Sequence, residues 1–266
     1  MHLVVCVKQV LDPEMSPRDF AVDPVARRPI AGRAPLVIST FDEIALEVAL
    51  QLREAVGGGT VTALTLGPRS ADEVLRKAMA MQADRAVRID PGGLGEGDAF
   101  VTASALAEAI RRKLSPFDVV LCGRQAGDTD GGQVGPMLAE ALGLPMVANA
   151  LRVRPGPDGS LHVERETEEG TEVVEVRPPV LLTATNAESN VPRIPKVKDV
   201  MAAHRKPIEV MAPSELGLAG EGLPARTAVE ALEVPQQSRQ CRMVEGDSLE
   251  ERVESLVAAL LELKVL

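Results

Sequence analysis

The sequence predicts an α/β fold: a mostly parallel sheet between layers of helices, with an antiparallel addition and a C-terminal arm. Three observations predict it. Up to about Pro145, short valine-rich apolar runs alternate with amphipathic helical stretches. Beyond Pro145 the pattern becomes one of period-two strands, broken by the turn sequences "PGPDG" and "EEG". From about Met211 the chain is punctuated by Pro and Gly and closes on one long amphipathic stretch. Strands alternating with helices require right-handed crossovers and a sheet covered on both faces, a Rossmann-like three-layer arrangement.

Taken in order, "HLVVCV" (His2–Val7) is a continuous apolar run of the kind buried on both faces. "DEIALEVALQLREAV" (Asp42–Val56) spaces its apolar residues as a helix does and stops at Gly57-Gly58-Gly59. "TVTALTLGP" is the next strand, and "SADEVLRKAMAMQA" the next helix, with Ser70 as its candidate N-cap. "RAVRID" then gives a strand, "DAFVTASALAEAIRRKL" a helix and "FDVVLCG" the fourth strand, which runs into a glycine-rich loop and a helix. Two antiparallel hairpin segments follow, then a last buried strand, "VLLTAT". The division expected is an α/β domain over 1–210 and an arm over 211–266. The arm has little apolar core of its own, and its terminal "SLEERVESLVAALLELKVL" needs a surface to lie on.

Composition limits the function. The chain has 266 residues with 45% hydrophobic, enough for a sizeable core. A formal charge of −10 is the wrong sign for a general nucleic-acid binder, and without Trp or Tyr the usual base-stacking platforms are missing. Cys6, Cys122 and Cys241 lie far apart with no CxxC, so no zinc or iron–sulfur site is expected, and a reduced, cytoplasmic protein fits best. No apolar run is long enough for a membrane-spanning helix, so the chain is not expected to be membrane-embedded. His2, His162 and His204 are scattered, with no nucleophile beside them, so no catalytic residues are assigned.

The most informative stretch is "GRQAGDTDGGQVGP", from Gly123 to Pro136, between the fourth strand and its helix. Such a loop lies at the carboxyl end of a parallel strand, where α/β sheets bind ligands, and it leads into a helix N-terminus whose N–H groups suit an anion. Glycines there can also serve turn geometry alone. The chain lacks GxxxxGK[ST], and no GxGxxG follows the first strand. "GGLGEGD" (Gly92–Asp98) lacks the third glycine of that motif and is expected to be a surface loop. Asp128 and Asp130 suit a metal pair or a turn bordering a ribose or phosphate. The residues alone therefore point to a nucleotide-binding α/β domain.

Two stretches resemble the β subunits of electron transfer flavoproteins (the ETF β/FixA family). "GRQAGDTDGGQVGPMLAEALGLP" is similar to that family's G-x-Q-A-x-D-x-D-x-x-Q-x-G loop and helix, and "NVPRIPKVKDVMAAHRKPIEV" (Asn190–Val210) to its N-x-P-R signature. "VCVKQVLD" and "FDEIALEVALQLRE" fit the same pattern, so the likeness is collinear over roughly the first 210 residues. The resemblance implies an adenine-nucleotide α hydrolase-like fold and a heterodimer whose α subunit carries the redox-active FAD. Electrons would pass from flavin dehydrogenases, such as acyl-CoA dehydrogenases, through that FAD to an ETF-quinone oxidoreductase, with the β C-terminal arm packed on α.

By position, the resemblance places nucleotide contacts on Cys6 after the first strand, on Ser39, Thr40, Phe41 and Asp42 before the first long helix, and on Leu66. The remainder fall on the loop: Gly123, Arg124, Gln125, Ala126, Gly127, Asp128, Thr129, Asp130, Gly131, Gly132, Gln133 and Val134. Members that bind AMP often have Asn-Pro where this chain has Ser39-Thr40, and Thr or Ser near Val134. Valine cannot donate a hydrogen bond to a terminal phosphate, so AMP and a second FAD, the latter in a β subunit that takes electrons from NADH, both stand as occupants. The resemblance also makes the segment after N-x-P-R a docking loop for dehydrogenases, with Val197 as its apolar anchor among Arg193, Lys196 and Lys198. Arg165 and Glu166 fall where family members meet the mobile FAD domain of α.

Overall fold

The computed structural model describes residues 1–266 apart from 17, 31, 33, 95–96, 219–222, 235–240 and 266. The chain divides into two compact units, Met1–Leu232 and Glu233–Leu266.

In the first unit β1 (His2–Cys6) is followed by two small antiparallel ladders. In these, β2 (Gln9–Leu11) pairs with β5 (Leu36–Ile38), and β3 (Ala21–Asp23) with β4 (Arg28–Ile30). Then come α1 (Thr40–Ala55), β6 (Thr60–Leu66), α2 (Asp72–Ala80), β7 (Arg85–Ile89), α3 (Ala99–Ala109), β8 (Val119–Gly123) and α4 (Val134–Leu142). After these run β9 (Met146–Pro155), β10 (Leu161–Thr167), β11 (Gly170–Val176), β12 (Val180–Ala184), α5 (Val197–Arg205) and β13 (Glu209–Met211). The main sheet has nine strands in the order β11-β10-β9-β12-β8-β1-β6-β7-β13. From β9 to β13 every neighbouring pair is parallel, whereas β9-β10 and β10-β11 are antiparallel, the addition that the "PGPDG" and "EEG" turns predict.

The three layers follow from strand periodicity. Leu3 and Val5 of β1 join Val119 and Leu121 of β8 in a core on the α1 and α2 side. The alternate residues Val4, Cys6, Val120 and Cys122 join a second core with residues of α3 and α4. Successive side chains on a strand point to opposite faces, so a run with no polar interruption must be covered twice.

Two details differ from expectation. Ser70 does not cap α2: a short 3₁₀ turn, Arg69–Ala71, precedes that helix, and the Ser70 hydroxyl donates to Gln9 Oε1 at 2.8 Å. Val197 is the first residue of α5 and not part of a free loop. A one-turn signal such as a cap is easily outcompeted by a tertiary hydrogen bond.

The second unit contains α6 (Leu249–Glu262), capped by Ser248, whose side chain accepts the N–H of Glu251 at 3.2 Å. The Glu251 carboxylate also accepts the N–H of Asp247, the residue before the cap, at 2.8 Å. Leu249, Val253, Leu256, Val257 and Leu261 of α6 are exposed. Among the described residues no helix is long and apolar enough to cross a membrane.

Candidate functional site

After β1 the chain builds β6 and β7 on one side, then crosses over to place β8 and β12 on the other. This reversal opens a crevice beyond the carboxyl ends of the central strands. A cavity of about 1000 Å³ lies there, and Cys6, Leu66 and Gly123, the last residues of β1, β6 and β8, line it.

The glycine-rich loop is fixed from behind by the start of α1. Asp42, almost fully buried, accepts the N–H of Lys8 at 2.8 Å and that of Gly123 at 2.9 Å, tying α1 to the ends of β1 and β8. Burial pushes its carboxyl up to about 7, although the Gly123 and Lys8 N–H groups pull the other way. The Ser39 hydroxyl accepts from Gly127 N at 3.2 Å, Lys8 Nζ holds Asp128 at 2.8 Å, and Gln125 donates to Asp130 at 2.8 Å. The Arg124 guanidinium stacks over the Phe41 ring, 4.7 Å from its centre. Two glycines are required by close approach. A Cβ on Gly123 would lie 2.6 Å from Asp42 Oδ1 and 2.7 Å from the Phe41 backbone, and one on Gly135 would lie 2.7 Å from Thr183 Cγ2. Gln133 precedes α4 without a side-chain cap bond, and Val134 and Gly135 line the cavity. The first N–H groups of a helix have no partner within it, so this uncapped end is suited to an anion.

The structure brings many of the sequence-derived positions to this cavity. Cys6, Asp42 and Leu66 line it, as do Gly123, Arg124, Gln125, Ala126, Thr129, Gly131, Gly132, Gln133 and Val134. Ser39, Phe41, Gly127, Asp128 and Asp130 are not on its wall, and all but Phe41 act through the bracing bonds just described; Thr40 is exposed at the start of α1.

A further group of wall residues carried no sequence assignment: Lys8, the turn Val25–Arg28 between β3 and β4, Asp98, Thr102 and Thr227–Val229. Lys8, Arg27, Arg28 and Arg124 set cationic side chains around the cavity against the carboxylates of Asp42 and Asp98. In a chain of net charge −10, this cavity thus carries more cationic than anionic side chains on its wall. The basic pair in "PVARR" was the available signal for part of it. "GGLGEGD" is more than a surface loop, since Gly97 and Asp98 line the cavity; residues 95–96 lie outside the described residues.

The N-x-P-R segment forms a second feature. Asn190 is buried; it accepts Ala187 N at 2.8 Å and donates to the carbonyls of Leu151 and Thr185 at 2.9 and 2.8 Å. Arg193 pairs with Glu47 at 2.8 Å and Glu54 at 2.6 Å. Asn and Arg therefore anchor the segment, and what they present is apolar: Ile194 is 92% exposed and Val197 77%, beside the exposed Lys196. On β10, Arg165 faces Glu172 of β11 across the ladder at 3.9 Å, and Glu166 lies 3.9 Å from Arg124.

A parallel sheet between helical layers, with a basic, glycine-lined cavity at its switch point, defines a Rossmann-like α/β protein equipped to hold an anionic ligand. Comparison with known proteins makes this specific. The family described as "Electron transfer flavoprotein domain" matches residues 30–216. The electron transfer flavoprotein subunit beta of Thermoanaerobacterium thermosaccharolyticum is 38% identical over 98% of each chain. The protein of the same name from Megasphaera elsdenii is 39% identical over 78% of this chain and 77% of its own. The caffeyl-CoA reductase-Etf complex subunit CarD of Acetobacterium woodii is 35% identical over 98% of each. The chain belongs to the electron transfer flavoprotein family, among its beta subunits.

Proposed function

We propose that this chain is the β subunit of a heterodimeric electron carrier and that its cavity holds an adenine nucleotide, FAD in preference to AMP. The observation that carries the choice is the size and shape of the cavity. At about 1000 Å³ it stands at the top of the range for small-molecule sites, roughly 300–1,000 Å³, and its lining runs from the glycine-rich loop to Arg27, Arg28 and Thr227–Val229. The Gly123–Val134 loop and the start of α4 suit a phosphate. AMP would fill that end and leave the stretch of wall formed by Arg27, Arg28 and Thr227–Val229 without contact to the ligand. FAD extends to them, and the absence of a hydroxyl at Val134 fits a phosphate that continues into a chain. When bound, FAD supplies the group that accepts and passes on electrons. The residues of this chain bind it, orient it and keep water from it.

In this reading α6 packs on the α subunit, whose own FAD completes the electron path, and the exposed Ile194 and Val197 dock a flavin dehydrogenase. In the AMP reading, AMP is structural and electrons run from acyl-CoA-type dehydrogenases to a quinone oxidoreductase through α alone. Cys6, Cys122 and Cys241 are all free thiols, which suits the cytoplasm. Denaturing the copurified αβ complex and measuring released flavin decides between the occupants. Two flavins per pair, with absorbance bleached by NADH, is the expected result. One flavin with one AMP would replace FAD by AMP, and no nucleotide in the β chain would end both readings.

A further inference from the structure

The far wall of the cavity is closed by a segment that joins the site late in the chain. Asp98 precedes α3, and its two carboxylate oxygens do different work. Oδ1 accepts the N–H of Val101 at 2.9 Å and caps the helix. Oδ2 accepts three bonds from a segment well over a hundred residues further on: Arg226 N at 2.7 Å, Thr227 N at 2.9 Å and Thr227 Oγ1 at 3.2 Å. Arg226 lays its guanidinium on the Phe100 ring, 3.9 Å from the centre. Three residues after Arg226 the carbonyl of Val229 accepts from Arg27 Nη1 at 2.9 Å. Thr227, Ala228 and Val229 thereby line the same cavity as the glycine-rich loop.

We infer that Asp98 is a positioning residue that holds Arg226–Val229 closed over the cavity and so sets how long the bound nucleotide stays. The inference rests on the nucleotide reading of the cavity. It follows from the arrangement of donors. A carboxylate oxygen that collects two consecutive backbone N–H groups and a hydroxyl makes charge-assisted bonds at one point, and among the described residues it is the acceptor that holds the Arg226 and Thr227 amides. Besides this contact the segment is held by the Arg226–Phe100 stacking, by the Arg27–Val229 bond and, upstream, by Leu223 packed against the Leu94, Val101 and Ala105 cluster, while Ala225–Glu230 are exposed. Opening this contact together with the Arg226–Phe100 stacking and the Arg27–Val229 bond uncovers the far wall without disturbing the sheet or the glycine-rich loop.

The variant Asp98→Asn separates cap from clamp. Asparagine is a good N-cap and keeps the acceptor for Val101, but it turns an NH₂ group toward three donors. In the αβ complex as purified, Asp98→Asn is expected to release FAD (or AMP, if that copurifies) about tenfold faster than wild type, the loss of roughly one charge-assisted hydrogen bond. Thr227→Val, which removes only the hydroxyl, should give a smaller increase. Trypsin cleavage after Arg226 should also accelerate in Asp98→Asn, with the thermal midpoint of the nucleotide-free complex unchanged. Release within twofold of wild type, or unchanged cleavage after Arg226, would overturn the clamp. If wild type carries neither FAD nor AMP, the nucleotide reading falls by itself, and the cleavage rate still decides the clamp.

Discussion

Arg193 grips Glu47 with two nitrogens: Nε lies 2.8 Å from Oε2 and Nη2 lies 3.0 Å from Oε1, and Glu47 is buried. A third bond to the same carboxylate comes from the Arg193 backbone N–H at 3.1 Å, while Nη1 reaches Glu54 at 2.6 Å. This pair joins the middle of α1 to the segment that leads into α5, so the position of the exposed Val197 depends on a buried charge 146 residues before Arg193. Removing one partner of a buried pair leaves the other charge uncompensated. Arg193→Ala is expected to lower stability by about 3 kcal/mol in urea unfolding. A loss under 1 kcal/mol would show that Glu47 finds water or another donor.

Val197→Asp tests the docking face by itself. The side chain is 77% exposed and packs under nothing, so stability and nucleotide content should be unchanged. Reduction of the αβ complex by its dehydrogenase should fall at least tenfold, measured as flavin bleaching with the dehydrogenase limiting, since apolar anchors carry a large share of binding energy. Normal rates would move the docking site elsewhere.

Gly123→Ala and Gly131→Ala should differ sharply. At 123 the new methyl meets Asp42 Oδ1 at 2.6 Å and the Phe41 backbone at 2.7 Å, so α1 or β8 must shift. A loss of about 1–3 kcal/mol together with lost nucleotide is expected. At 131 the nearest atom is Thr129 Oγ1 at 3.8 Å, an ordinary contact. That variant should fold as wild type, and its nucleotide content reports on the cradle alone.

If the cavity holds a nucleotide, Asp42 is expected to make its affinity depend on pH. Burial raises its carboxyl from 3.8 to about 7, so the folded protein keeps a proton that the unfolded chain gives up near pH 4. Stability owed to this group is therefore greatest at low pH and declines as pH rises from about 4 to about 7. Over the upper part of that window a negative charge also develops beside the proposed phosphate cradle. FAD affinity should weaken as pH passes through 7, and Asp42→Asn should flatten the profile. A wild-type titration with no change between pH 6 and 8 would contradict this.

Much of the site was legible because it is local. The Gly123–Val134 loop follows a strand run and leads into a helix, and the chemistry of backbone N–H groups at such a junction needs no partner from elsewhere. Arg27 and Val229 were not legible: their bond joins residues 202 apart, and neither "PVARR" nor "ARTAV" has a periodicity that announces a wall. Asp98, read only as the end of a surface loop, gave no hint of its bonds to Arg226 and Thr227. In N-x-P-R, the resemblance put Arg193 at the partner face, whereas its guanidinium is engaged by Glu47 and Glu54 and the exposed groups are Ile194 and Val197.

The order of residues alone determined the main strands and helices up to β12, the two-sided burial of the central strands and the family, because each depends on spacing along the backbone, which short-range geometry sets. The small ladders β2–β5 and β3–β4, α5 and β13 were not legible there. Only the tertiary structure decided that β8 crosses β1 to open a crevice, that basic side chains gather there on an acidic chain, and that Asp98 reaches Thr227. Those features depend on which distant segments come to lie side by side. Burial and long-range hydrogen bonding settle that pairing together, and no local pattern encodes it.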